Sequence, residues 1–210
     1  MAVYKIKVCG MRDEENIRQL VKLKPDYIGF IFYPGSKRYI GENFNMKILD
    51  IIPGSIERVG VFVNELIENV INMADAYGLD YVQLHGDEPP EYCCELMEMN
   101  MHVIKAFGIG EDFDFEKIIN YDSCCDYFLF DTLSSQHGGS GMKFNWDLIY
   151  NYDYPKPFFL SGGIGIEDIP EIHKIDQTFL YAVDINSRFE IEPGLKDIPA
   201  ISKFISILKR

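Results

Sequence analysis

Positive charge is what this chain of 210 residues has least of for its size: 20 Lys and Arg stand against 33 Asp and Glu, a formal net charge of −13 at pH 7. Such a surface repels phosphate backbones and anionic bilayers, which argues against nucleic-acid and membrane partners. Long apolar runs are absent too. None approaches the roughly 20 residues of a membrane span, and the first ten residues show no apolar stretch behind a basic region. A cytoplasmic protein is therefore expected. Histidine is scarce, with 4 residues scattered along the chain and no metal-ligating triad in their spacing, which argues against a zinc enzyme.

Cysteine is limited to 5 residues: Cys9, the neighbours Cys93 and Cys94, and the neighbours Cys124 and Cys125. The number is odd, sequence neighbours rarely bridge each other, and neither pair has the two-residue gap of zinc or redox motifs. We read the two pairs as packing residues of a protein kept in a reducing compartment. No G-x-G-x-x-G opens a helix and no P-loop lysine motif occurs, so neither dinucleotide nor nucleoside triphosphate chemistry is signalled.

The chain is rich in core-forming residues, with 47% hydrophobic and 25% charged, the composition of a globular protein. Its length fits one domain over residues 1–210 that buries roughly 70% of the unfolded surface. Eight short apolar runs recur: 4–9, 27–32, 58–63, 81–84, 103–107, 127–130, 158–160 and 179–183. Each reads as a buried strand. Helical spacing fills most gaps, as with Ile17, Leu20 and Val21, or Leu66, Val70, Met73 and Ala74. The weakest of these helices is 46–52, stopped by Pro53 and Gly54, and a clear one closes the chain over 199–208. Eight strand-plus-helix units predict an α/β fold, a single (βα)8 TIM barrel with a closed parallel eight-stranded sheet. An open doubly wound sheet is the alternative.

Barrels of this kind carry their chemistry where strands end. The residues after the runs are polar and glycine-rich: Cys9-Gly10, the segment 33–38, Asn64, His85-Gly86-Asp87, Gly108, Asp131-Thr132, Ser161-Gly162-Gly163 and 184–187. Cys9 alone reads as a small buried hydrophobe, but Gly10 opens a tight turn beside it and Lys7 and Arg12 flank it. Asp131, following Phe128-Leu129-Phe130, is expected to stand before apolar walls that raise its pKa and suit it to general acid work; a loop or cap aspartate is the plain alternative. Strands one and six lie on opposite sides of the mouth, so a base and an acid would face each other across a small sugar. Gly162 and Gly163 on one loop, with Ser187 on the next, are expected to hold phosphate through backbone N–H groups, with the charge of Arg188 contacting the same anion, and ordinary turns are the alternative. Arg38 offers a planar fork for a carboxylate. His85 and Asp184 are expected to contact the substrate. The glycine- and serine-rich segment 134–141 reads as a lid over the site.

These segments together resemble one family. Lys7-Val8-Cys9-Gly10, Ser36-Lys37-Arg38-Tyr39, Val82-Gln83-Leu84-His85-Gly86-Asp87, Phe130-Asp131-Thr132, Leu160-Ser161-Gly162-Gly163-Ile164 and Pro193-Gly194 with Lys196-Asp197 closely resemble the phosphoribosylanthranilate isomerases of tryptophan biosynthesis, in the family's order. The resemblance implies a barrel that runs an Amadori rearrangement of a phosphosugar with no cofactor. It places the catalytic base on Cys9, the acid on Asp131 and the carboxylate-binding arginine on Arg38, and puts Gly163 and Ser187 in phosphate loops. A useful thiolate at neutral pH would need a lowered Cys9 pKa. The family's Asp-x-Ser-Ser-Gly-x-Glu is replaced here by Asp184-Ile185-Asn186-Ser187-Arg188-Phe189-Glu190, so a charged side chain stands where the glycine would approach phosphate. A related two-aspartate isomerase of histidine biosynthesis, a non-catalytic phosphosugar binder and a thiol hydrolase using Cys9 and His85 are the alternatives. The expected partner is a small phosphosugar, and the expected state a monomer or weak homodimer.

Overall fold

Each apolar run pairs with the next, and the eighth returns to the first. The computed structural model describes residues 4–133, 141, 143–175 and 178–209. In it β1 (Lys5–Val8), β2 (Tyr27–Ile31), β3 (Glu57–Phe62), β4 (Tyr81–Leu84), β5 (His102–Ile109), β6 (Tyr127–Thr132), β7 (Phe158–Leu160) and β8 (Leu180–Ile185) form a closed parallel barrel in sequence order. Val8 lies in register with Ile28 on one side and Ile185 on the other. The open sheet, which would leave unpaired edges, is thereby excluded. The lid segment falls outside the described residues except for Gly141.

The crossovers are less uniform than a strand-plus-helix period suggests. Helices α1 (Glu14–Val21), α2 (Ile67–Tyr77) and α3 (Pro90–Glu98) follow β1, β3 and β4, α4 (Ile169–Ile172) precedes β8, and α5 (Ile198–Leu208) follows it. After β2, β5 and β6 the chain instead forms 3-10 segments, Met46–Ile51, Phe115–Cys124 and Trp146–Asn151. Where a side chain caps the first turn, its reach follows the difference. Asp13 and Asp197 accept the N–H three residues on, the α-helical N-cap pattern. Asn45, Asp114 and Asn145 each accept the N–H two residues on, an Asx turn that winds the first turn tighter.

Period-two alternation along the strands separates two apolar regions. Residues such as Ile6, Val8, Ile28 and Phe30 face outward into the shell beneath the helices. The inward set begins with Tyr27, Tyr81, Tyr127 and Tyr181 around Phe159. The Tyr127 and Tyr181 rings stack at 4.5 Å, and the Tyr27 hydroxyl donates to that of Tyr181 at 3.1 Å, so the N-terminal end is plugged. Further along, the interior turns polar, and this gradient aims the chemistry at the opposite end. Beyond β8 a short antiparallel hairpin, β9 (Glu190–Glu192) and β10 (Leu195–Lys196), folds back against Asn16 of α1; the apolar patterning carries no sign of it.

The cysteine expectation needs correction. Cys94 on α3 and Cys124 at the end of a 3-10 segment are joined in a disulfide, while Cys9, Cys93 and Cys125 are free and buried. Neighbours in sequence still do not bridge each other; one member of each pair reaches across to the other pair because α3 and residues 115–124 lie side by side. Thiol titration of the denatured, unreduced protein is expected to find three thiols, and five after reduction. Reduction opens a link spanning 30 residues and is expected to lower unfolding stability by about 3–4 kcal/mol on the chain-entropy account; an unchanged denaturation midpoint would show that the link contributes nothing.

Candidate active site

The strand period explains why site residues arrive in pairs two apart: Lys7 and Cys9 on β1 and its end, Gln83 and His85 at β4, Leu129 and Asp131 on β6. In each pair the first lies deeper in the barrel and the second nearer the mouth. A hollow at the C-terminal mouth of the barrel is lined by Cys9, Arg38, His85, Asp131, Gly162, Gly163, Asp184 and Ser187. Eight of the nine expected site residues therefore meet there. Ile31, Tyr33, Val61, Val63 and Ile164 supply its apolar wall, and Gln83, Ser161 and Asn186 its other polar groups.

Arg188 is the exception. Its guanidinium pairs with Glu167 on the exposed surface and does not line the hollow, so the structure does not bring it together with the other residues expected at the phosphate. The acidic neighbour satisfies the charge outside the site.

Cys9 is buried and held from both sides. Its N–H donates to Ile185 O at 3.0 Å, and the N–H groups of Gly10 and Met11 both donate to Gly29 O. A Cβ on Gly29 would come 2.8 Å from the Cys9 sulfur, so only glycine at that point of β2 leaves the thiol room. Beneath it Lys7, 0% exposed, donates to Asp184 Oδ2 at 2.9 Å. Burial disfavours the Lys7 ammonium, but Asp184 and then Cys9 hold its pKa above that of an ordinary lysine. The Asp184 carboxyl is pushed up by burial, with Lys7 pulling it back. The Cys9 thiol is also pushed up by burial, against the pull of Lys7 and Lys196 and with the push of Asp184. A lowered thiol pKa was the expectation; desolvation outweighs the cations.

Asp131 lies within β6 rather than past its end. Instead of bare apolar walls it meets polar partners: its Oδ1 accepts the Thr132 N–H at 2.8 Å, and its Oδ2 lies 3.2 Å from His85 Nε2. Gly162 has a left-handed φ of +93°, and a Cβ there would come 2.8 Å from Thr132 N and 3.0 Å from Asp131 Oδ1. Gly163 follows at φ +58°, so the backbone beside the acid runs through two successive positive-φ positions that glycine adopts without strain.

Arg38 is clamped as well as exposed to the hollow. Glu190 of β9 accepts from its Nε at 2.9 Å and its Nη2 at 2.7 Å, and takes a further bond from buried Lys196 at 2.7 Å. Burial raises the Glu190 carboxyl, but Arg38, Lys196 and the Gly194 N–H overcome it and hold the group below the usual carboxylate range. Nη1 and one Nη2 hydrogen of Arg38 remain for a ligand. Lys196 donates to Asn186 Oδ1 at 2.6 Å, tying the hairpin to the hollow. Glu190 and Lys196 fall in segments that carry the family resemblance, but nothing in the sequence shows that they pair with Arg38, since both reach the site only because the hairpin doubles back; Lys7 and Gln83 could be found from strand alternation. Among the described residues no group of His, Cys, Asp or Glu is arranged to hold a metal ion.

Comparison with known proteins agrees with this geometry. Residues 6–207 match the family model for N-(5'-phosphoribosyl)anthranilate (PRA) isomerase. The chain belongs to the PRA isomerase family. It is 46% identical over 201 residues to the N-(5'-phosphoribosyl)anthranilate isomerase of Parabacteroides distasonis, covering 95% of this chain and 91% of that one. It is 42% identical to the Phocaeicola vulgatus protein of the same name, covering 98% of each. Among solved structures, phosphoribosyl anthranilate isomerase from Thermotoga maritima superposes with a TM-score of 0.86 at 38% identity over 98% of both chains. A second, with reduced 1-(o-carboxyphenylamino)-1-deoxyribulose 5-phosphate bound, superposes with a TM-score of 0.84 at 37% identity, again over 98% of both. The family places the chain among isomerases.

Proposed function

We propose that the protein converts N-(5'-phosphoribosyl)anthranilate into 1-(2-carboxyphenylamino)-1-deoxyribulose 5-phosphate, with Cys9 as general base and Asp131 as general acid. One observation carries this reading: a thiol on β1 and a carboxyl on β6, three strands apart around the closed ring, line the same hollow with a left-handed glycine pair beside the acid. Asp131 gives its proton to the ring oxygen, the furanose opens, and a protonated imine forms at the first carbon. The electron-poor imine acidifies the neighbouring carbon, whose proton passes to the thiolate of Cys9, the thiol proton having first gone to solvent. The enolamine left then gains a proton at its first carbon and loses one from its C2 hydroxyl to give the ketose. Burial by itself opposes the thiolate. The cationic imine, arriving beside Lys7's influence, supplies the charge that favours it.

Binding follows the same division of the walls. Gly162, Gly163 and Ser187 take the phosphate, Arg38 takes the anthranilate carboxylate through the hydrogens Glu190 leaves free, and Ile31, Val61 and Tyr33 pack on the aromatic ring. His85 and Asp184 meet the sugar. The test is direct: fluorescence of N-(5'-phosphoribosyl)anthranilate is expected to decay at a rate proportional to added protein, with the ketose product appearing in equal amount. Decay no faster than in a protein-free control would reject the proposal.

A further inference from the structure

Gln83 takes no part in the chemistry above, yet it lies in the polar middle of the barrel with 1% of its surface exposed. Its Nε2 is 2.8 Å from His85 Nδ1, and His85 Nε2 is 3.2 Å from Asp131 Oδ2. A neutral imidazole has one N–H and one bare nitrogen, so the two contacts are not independent. With the amide NH2 of Gln83 against Nδ1, the proton resides on Nε2 and histidine donates to Asp131. With the amide reversed, Nδ1 would carry the proton and bare Nε2 would face the carboxyl. A proton on Asp131 would then be held by histidine instead of remaining available to a ligand.

We propose that Gln83 is a positioning residue that locks His85 in the Nε2–H tautomer, so that His85 steadies the carboxylate left when Asp131 gives up its proton. The inference rests on the acid role of Asp131. A hydrogen bond to an ionised acceptor is stronger than one to its neutral form, so the contact gains strength as the proton leaves, the differential that lowers a barrier. The strand is built for the task. Residues 83 and 85 share its inner face, and the His85 N–H donates to Phe62 O at 2.8 Å, which fixes the backbone carrying the ring. The arrangement also has a cost: Gln83 Oε1 is buried without a hydrogen-bond partner among the described residues, a penalty that an apolar side chain of similar size would avoid. Gln83 contributes its NH2 group to His85, and that group is what an apolar replacement lacks.

Nitrogen NMR of protein labelled with 15N-histidine tests this without altering the site, with the His85 signals assigned by their loss in His85→Asn. In the unmodified protein His85 Nδ1 is expected to show the shift of a bare nitrogen and Nε2 that of a proton-bearing one. In Gln83→Glu the carboxylate accepts from Nδ1, so Nδ1 is expected to become protonated and kcat to fall about 10-fold or more, with KM moving less than about threefold. Gln83→Leu, which permits either tautomer, is expected to fall less far. A protonated Nδ1 in the unmodified protein, or full turnover in Gln83→Glu, overturns the proposal. An Nε2–H tautomer together with normal turnover in Asp131→Asn would overturn the acid assignment instead, so the two failures are distinguishable.

Discussion

Asp131→Asn and Cys9→Ala are each expected to lower kcat by about 10²–10⁴-fold, the usual contribution of one positioned acid or base. Asparagine keeps the shape of aspartate, and its oxygen can still accept the Thr132 N–H, but it has no proton to give to a ring oxygen. Alanine at position 9 removes the sulfur and leaves a small void against Gly29, whose missing Cβ would come 2.8 Å from that sulfur. Neither change touches a strand-pairing hydrogen bond, so far-UV circular dichroism and the denaturation midpoint of Asp131→Asn should match the parent. Steady-state kinetics decide the matter: near-normal kcat in either variant removes that residue from the reaction.

Lys7→Met should produce the largest loss of stability, about 3–5 kcal/mol, because it strands a buried carboxylate without its counter-charge. Asp184 accepts from Lys7 where both side chains are almost wholly buried, at 0% and 4% exposure, and the second oxygen of Asp184 has no partner among the described residues. Removing both charges, as in Lys7→Met with Asp184→Leu, is expected to recover most of that loss, since a well-packed apolar pair costs no desolvation. Activity should not recover with stability, because the double variant also strips the cation nearest Cys9 and a side chain that lines the hollow. Chemical denaturation of the single and double variants measures the first effect, and substrate turnover the second. A single variant as stable as the parent would show that the pair is solvated after all.

Much of this arrangement is legible in the order of residues along the chain. The eight strands follow from short apolar runs, because a strand covered on both faces is apolar along most of its length; Tyr81–Leu84 and Phe158–Leu160 match the runs residue for residue. Cys9 and Asp131 stand out because polar groups at the ends of such runs have nowhere to go but the mouth. The helices are less legible. Whether Asn45, Asp114 or Asn145 caps an α-turn or a tighter one depends on which N–H its short side chain reaches, and apolar spacing says nothing of that.

Charge is the least legible feature of all. Lys7 and Asp184 are 177 residues apart, and Arg38 and Glu190 are 152 apart; each pair exists because the eighth strand closes on the first and the hairpin after it turns inward. Those contacts reverse the simplest readings of single residues. Arg38 is partly neutralised, Arg188 turns away to Glu167, Cys94 finds Cys124, and burial pushes the Cys9 thiol up where flanking cations alone would pull it down. The sequence by itself determined the barrel and which strand ends line its hollow, since both follow from short-range periodicity. Only the tertiary structure decided the ionic state and partners of each group, because desolvation and pairing depend on what a closed ring brings within a few ångströms.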